Sequence, residues 1–228
     1  MIWSQTSFQD PCRPTIISLI NFHDSAITTI IIILTYVIIS ALSAVISPFS
    51  YSPSYENHEL ETLWTSLPGL ILLTLALPSL RLLYLLEETI DPSLTIKITG
   101  HQWYWSYDYA DIENLEFDSF IKPSLEIHPG ELRLLEVDNR MVVPWGIESR
   151  LLVTAADVLH SWTIPNIGVK SDAVPGRLNQ LCITPSKPGI FYGQCSEICG
   201  ANHSFIPIRM EVVEPHKWVK WASSLQKQ

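Results

Sequence analysis

Apolar positions are spread unevenly along the chain. No Asp, Glu, Lys or Arg falls between Asp24 and Glu56, nor between Glu61 and Arg81. The first run, Ala26–Ile46, reads AITTIIIILTYVIISALSAVI. Its length at ~1.5 Å rise per residue gives roughly 30 Å, enough to cross a hydrocarbon core. Asp24 and Ser25 offer helix-start chemistry, and Ser47-Pro48 closes the run. The second, Thr62–Leu80, reads TLWTSLPGLILLTLALPSL, with Arg81 and Glu87-Glu88 marking its far end, so a span over about 62–86 is predicted. Pro68 and Pro78 are compatible with a transmembrane helix whose neighbours satisfy the freed backbone. A cleaved signal peptide is disfavoured, because the first run is too long and lacks a basic leading segment or a small-residue cleavage site. Two spans return both termini to one compartment. The linking loop, Pro48–Leu60, has no Lys or Arg, so charge bias does not orient the hairpin.

From Leu94 the pattern shortens. Leu94–Thr99 alternates, Leu132–Val137 and Leu151–Thr154 are apolar runs, and Ile206–Val213 closes the series. Pro129-Gly130, Pro175-Gly176 and Pro188-Gly189 supply turn signals between them. Short strands at this spacing predict a β-sandwich or barrel. The expected organisation is therefore a membrane hairpin over residues 1–90 and a water-exposed β domain over 91–228.

Charge and cysteine content narrow the function. The formal net charge of −9, from 23 acidic and 14 basic side chains, argues against nucleic acid as a partner, since phosphate binding needs a basic face. An acidic surface can instead steer a basic partner into contact. Cys12, Cys182, Cys195 and Cys199 are too few and too oddly spaced for a disulfide scaffold. Two of them sit in Cys195-Ser196-Glu197-Ile198-Cys199-Gly200-Ala201-Asn202-His203, and a further histidine, His160, lies in Asp157-Val158-Leu159-His160-Ser161-Trp162. Soft thiolates favour Cu(I), and imidazole accepts either copper oxidation state. The same four donors would suit tetrahedral zinc, and two nearby cysteines can simply form a disulfide. Spacing alone leaves these three open.

Several separate blocks carry a resemblance. Gly100-His101-Gln102-Trp103-Tyr104-Trp105-Ser106-Tyr107, Pro129–Asn139, Val158-Leu159-His160-Ser161-Trp162, Asp172–Gln180 and Tyr192–Gly200 are similar to those of cytochrome c oxidase subunit II of the mitochondrial type. The resemblance implies an α+β membrane protein, with a transmembrane helical hairpin followed by a cupredoxin-like Greek-key β-barrel. It also implies a dinuclear copper A centre in which Cys195 and Cys199 bridge two coppers, while His160 and His203 each cap one. The backbone carbonyl of Glu197 would complete a coordination shell, and its carboxylate would bind magnesium at the interface with the catalytic subunit. The family's methionine ligand falls at Ile206, which cannot donate to copper, and Met210 lies beyond Pro207. Weak axial ligands chiefly tune potential. The reduction potential is therefore expected to sit higher than in an Ile206→Met variant, and redox titration of the two would check this.

The resemblance further makes Trp103 the residue through which electrons enter from cytochrome c. Asp108, Asp111, Glu113, Glu116 and Asp118, joined by Asp138 and Asp157, would form the docking face. Read without the family, the aromatic run is core packing or an interfacial belt, and the acids are a solvated face. Glu61 would stand at the mouth of a proton-uptake channel in the catalytic subunit; on its own it is a carboxylate suited to a helix N-terminus. Electrons would pass to haem in that subunit, where oxygen is reduced to water with proton pumping. The expected partners are thus cytochrome c, catalytic subunit I, other oxidase subunits and membrane lipid. The expected location is the mitochondrial inner membrane, with both termini and the head in the intermembrane space. A copper-free anchor of a quinol-oxidase-type complex is the rival, disfavoured by Cys195 and Cys199, and a tethered zinc protein is another. Cys12 and Cys182 read as buried thiols.

Overall fold

The computed structural model describes residues 5–50, 56–88 and 91–226. Residues 51–55 of the Pro48–Leu60 loop, and residues 89–90 at the expected domain boundary, lie outside the described residues. Residues Ser18–Leu85 form one compact unit, and Met1–Ile17 together with Leu86–Gln228 form a second.

Helix α1 covers Pro14–Ile46 and begins well before the apolar run. Pro14 suits a first helical position because its missing N–H would be unpaired there anyway. The polar residues read as a helix start sit inside the helix instead. Ser25 Oγ donates to the Asn21 carbonyl at 2.9 Å and Thr28 Oγ1 to the Asp24 carbonyl at 2.7 Å. Hydroxyls bonded back to the preceding turn do not interrupt the ladder. Helix α2 covers His58–Glu87 and carries both prolines. Asn57 caps it, its Oδ1 accepting the Leu60 N–H at 3.1 Å, and Glu59 and Glu61 fall in the positive first turn. Along both helices apolar side chains stay bare, with Ile31 56% and Leu72 66% exposed. Such faces need a non-aqueous surrounding.

The second unit holds ten strands among the described residues: β1 Leu94–His101, β2 Tyr104–Tyr109, β3 Glu116–Ser119, β4 Met141–Pro144, β5 Ser149–Ala155, β6 His160–Ile164, β7 Val169–Ala173, β8 Asn179–Ile183, β9 Gly189–Gln194 and β10 Pro207–Val213. They make a five-stranded sheet in the order β3-β2-β1-β5-β8, a three-stranded sheet β4-β10-β9 and a ribbon β6-β7. The pairs β1–β5 and β4–β10 are parallel, and the remaining ladders antiparallel. Inward residues of the large sheet (Ile96, Ile98, Trp105, Tyr107, Tyr109, Leu151, Val153) share one core with Met141, Val143, Ile208, Met210 and Val212. The buried Tyr109 hydroxyl accepts the Val142 N–H at 2.9 Å and donates to the Val142 carbonyl at 2.8 Å, which ties the two sheets together. A last helix, α3, covers Pro215–Leu225.

One expected strand is absent. Leu132–Val137 is a series of turns in which Leu135 and Glu136 donate backward to the Leu132 carbonyl, and only Val137 makes an isolated bridge, to Ile121. Leu134 adopts φ +69°, which no ladder accommodates. Glu136, 2% exposed, supplies the reason. Its carboxylate pairs with Arg209 Nη1 at 2.5 Å and accepts the Tyr192 hydroxyl at 2.7 Å. A buried carboxylate must find such partners, and reaching them folds the segment inward.

The leading segment is anchored through Cys12. Its N–H donates to the Asn166 carbonyl at 2.9 Å, and its own carbonyl accepts from Ser186 N–H at 2.8 Å. Cys12 and Cys182 are both buried and free, as expected.

Candidate metal centre

Three segments meet at the end of the β unit. The turn from β1 to β2 brings Gln102 and Trp103, the lead into β6 brings Asp157 and His160, and the loop from β9 to β10 brings Cys195 to His203. His160, Cys195 and Cys199 offer ligand atoms that all lie within 4.8 Å of one another, and all three residues are buried. His160 Nδ1 stands 3.9 Å from Cys195 Sγ, and His203 Nδ1 stands 3.5 Å from Cys199 Sγ. The Glu197 carbonyl oxygen lies 3.3 Å from Cys195 Sγ. Two soft sulfurs, the His160 imidazole and a carbonyl therefore converge, with His203 outside that cluster at the Cys199 edge, and the donor set fits copper. Both cysteines are free thiols, so a disulfide between them is not formed here.

Backbone contacts fix the ligand loop from three sides. Cys195 N–H donates to the Ile206 carbonyl at 3.1 Å, and Ser196 N–H to the Ser161 carbonyl at 3.0 Å. The Cys199 carbonyl accepts from Gln102 Nε2 at 2.7 Å and from the Trp103 indole N–H at 3.3 Å. Gly200 sits at φ +124°, where a Cβ would come within 3.2 Å of both Gln102 and Trp103. Close approach and unusual backbone together explain glycine there. Gly100 is equally confined, since a Cβ would meet the His160 ring at 2.9 Å.

Asp157 holds a different post from the one expected. Its Oδ1 lies 2.9 Å from His160 Nε2, and its Oδ2 accepts the Gln102 N–H at 2.7 Å. A carboxylate at Nε2 keeps a proton on that nitrogen, so Nδ1, which faces the sulfurs, is the atom left to bind a metal once its own proton is lost. The docking role expected of Asp157 does not account for this contact. Asp157 stands three residues before His160 in sequence, yet nothing in one dimension says which side chain a carboxylate turns toward.

Ionisation follows from these contacts. Burial works against a thiolate at Cys195, but the His160 bond and backbone hydrogen bonds at Glu197 and Ser161 outweigh it and bring the thiol down to about 7. Burial and the neighbouring Cys195 push Cys199 up to about 12. Burial likewise tends to discharge His160, but Cys195 and Asp157 hold its pKa above the ordinary imidazole value. A lowered thiol pKa stabilises the native state above the unfolded-chain value near 9, and that contribution disappears as pH falls through about 7. In the metal-free parent the first ultraviolet thiolate transition should fall near pH 7, and Cys195→Ser should lack it. A parent whose first thiolate transition falls near 9 would refute this.

The other expected site residues are more scattered. Trp103 is half-buried and packs against the core with its indole turned to the ligand loop. Ile206 is 2% exposed and meets the site through its backbone. Met210 faces Met141 and Phe191 inside the core. Asp108 opposes Glu116 across β2 and β3, and Ser106 opposes Asp118, so the three acids share the outer face of the sheet. Beside them His101, Tyr104 and Phe120 stack, with successive ring centroids 4.4 Å apart. The Tyr104 hydroxyl is held above its usual pKa by burial and by Asp118 and Asp157. Asp111 and Asp138 are exposed but accept backbone N–H groups of Thr95 and Phe120, so they also shape the fold. Glu113 is exposed near α3. Glu61 lies in the first turn of α2, 3.4 Å from His58 Nδ1.

Comparison with known proteins supports this picture. Residues 94–213 match the profile of the cytochrome C oxidase subunit II periplasmic domain, and residues 1–82 match that of its transmembrane domain. The crystallised periplasmic domain of subunit II of cytochrome oxidase from Bradyrhizobium japonicum is 48% identical. That match covers 61% of this chain and 98% of the other, with a TM-score of 0.57. A second structure holds subunit II of cytochrome c oxidase as a mixed disulfide intermediate with a thioredoxin-like protein. It is 46% identical, covering 61% of this chain and 95% of that one, at a TM-score of 0.54. The β unit is thus cupredoxin-like, as its strand order suggests.

Proposed function

Since the chain belongs to the cytochrome c oxidase subunit II family, we propose that it is the electron-accepting subunit of a haem–copper oxidase, taking electrons from cytochrome c and passing them to haem in the catalytic subunit. The observation that carries this reading is the buried convergence of Cys195, Cys199 and His160. Cys195 and Cys199 would hold two coppers between them, with His160 and His203 at the ends and the Glu197 carbonyl alongside. Once bound, such a pair supplies a one-electron carrier that needs little rearrangement between its oxidation states.

The chain's own residues do the remaining work. Asp157 aims the His160 ring and fixes its tautomer. The Cys199 carbonyl, bonded to Trp103, gives a short covalent and hydrogen-bonded route from that ring to a ligand sulfur. Burial of the donors excludes water and limits stray redox chemistry. Glu197 would offer its carboxylate to magnesium at the catalytic subunit, and Glu61 would collect protons at the membrane edge. The two exposed apolar helices make the chain a membrane protein, and the proposed location is the mitochondrial inner membrane, with the head in the intermembrane space.

Copper analysis with electron paramagnetic resonance on the purified protein tests the reading. Two coppers per chain and a delocalised multiline spectrum are expected; one silent zinc, or no metal, would overturn it in favour of a tethered zinc protein or a copper-free anchor.

Docking has its own test. Because Asp157 is tied to His160, reversing it would disturb the site as well as the surface. Glu116→Lys combined with Asp118→Lys changes only the outer face of β3. At low salt the association rate of reduced cytochrome c should fall on the order of tenfold and converge with the parent as salt rises. Equal rates at low salt would move the docking face elsewhere.

A further inference from the structure

The membrane hairpin contains a groove, lined by polar side chains and by Phe22, Pro78 and Leu82, that electron transfer leaves unused. Ser18, Asn21 and Ser25 of α1 line a cavity of about 300 Å³ together with Arg81 and Leu85 of α2. Spacings of three and four residues put the three polar side chains on one stripe of α1. Ser25 immediately precedes the first apolar run, and Arg81 immediately follows the second. An antiparallel pair of spans brings those two ends to the same depth, the level of the lipid headgroups.

Arg81 is the single Lys or Arg between Arg13 and Lys97. Among the described residues it has no hydrogen-bond or ion-pair partner, and neither do the Asn21 amide and the Ser18 hydroxyl. No Asp or Glu lines the groove; the nearest acid in sequence, Asp24, pairs with His23 at 3.2 Å. A guanidinium, an amide and the Ser18 hydroxyl facing one space form a donor set for phosphate, while Ser25 Oγ is spent on the Asn21 carbonyl. The surroundings suit a lipid more than a free ion. Leu80 and Leu83 are about half exposed beside Arg81, and Tyr84, 72% exposed, places an amphipathic ring at the same level. A zwitterionic headgroup would also want a carboxylate for its cationic end, and the groove provides none.

We infer that this groove binds the phosphate of an anionic glycerophospholipid, with Arg81 as the charged anchor and Asn21 and Ser18 as orienting donors. The inference rests on reading α1 and α2 as bilayer spans. Its test uses the assembled, delipidated oxidase carrying the parent chain, Arg81→Gln or Arg81→Lys, titrated with phosphatidylglycerol or phosphatidylcholine and followed by native mass spectrometry. The parent should take up one phosphatidylglycerol that Arg81→Gln binds about fivefold more weakly. Arg81→Lys should recover part of the affinity, phosphatidylcholine should be unaffected, and inorganic phosphate should not compete. Equal uptake by Arg81→Gln would overturn the site, as would displacement by inorganic phosphate. Loss of the catalytic subunit from Arg81→Gln would overturn it too, by showing that Arg81 pairs with a protein carboxylate. Carbonate extraction of the parent separates the two readings, because a chain released from the membrane removes the spans themselves.

Discussion

Alanine at position 193 should abolish cooperative folding of the β unit. A Cβ on Gly193 would lie 1.7 Å from the Thr163 carbonyl oxygen and 2.9 Å from its carbon. Both are backbone atoms of β6, which crosses β9 beneath the ligand loop, so no side-chain rotation relieves the clash. The strands would have to separate by more than an ångström, and the ligand loop, which joins β9 to β10, would move with them. Overpacking normally costs about 1–3 kcal/mol. A backbone collision of this depth belongs in the exceptional class above about 4 kcal/mol, a large share of a domain's total stability. Thermal unfolding of the β unit by circular dichroism should show the sharp transition of the parent replaced by a gradual one or none. A midpoint within a few degrees of the parent would show that β6 and β9 have room for a Cβ between them.

Serine in place of Cys199 should have the largest effect on metal content while leaving the fold intact. The two side chains are nearly isosteric, so the buried position stays filled. The hydroxyl, however, is a hard donor that does not ionise near neutrality, and it cannot replace a soft bridging thiolate. Losing an outer-sphere partner of a ligand typically costs 10–100-fold in metal affinity; losing a ligand should cost on the order of a hundredfold or more by the same reasoning. Copper per chain should fall from two to one or fewer, the multiline spectrum should vanish, and the unfolding midpoint of the metal-free protein should stay close to the parent. Two coppers retained by Cys199→Ser would remove the bridging role.

What could be read in one dimension was whatever depends on local pattern. Uncharged runs of membrane length, alternation from Leu94, and thiols and imidazoles at fixed spacing each act through near neighbours in sequence. These gave the hairpin, the β domain and the donor set. Two elements depart from that pattern because a competing hydrogen bond decides them. Helix α1 began at Pro14 because Ser25 and Thr28 bond back to the preceding turn instead of capping. Leu132–Val137 looked like a strand, yet Glu136 folds it inward to reach Arg209 and Tyr192.

The site divides in the same way. Which atoms are available to a metal follows from residue identity, because donor chemistry belongs to the side chain. Packing of distant segments is what brings His160 to Cys195 across 35 positions, turns Asp157 to the imidazole before the surface, and sets Trp103 against the ligand loop. Those outcomes depend on which backbone segments cross and how closely, as Gly100, Gly193 and Gly200 show. Such distances are set by the packing of whole sheets, which no local run of residues encodes.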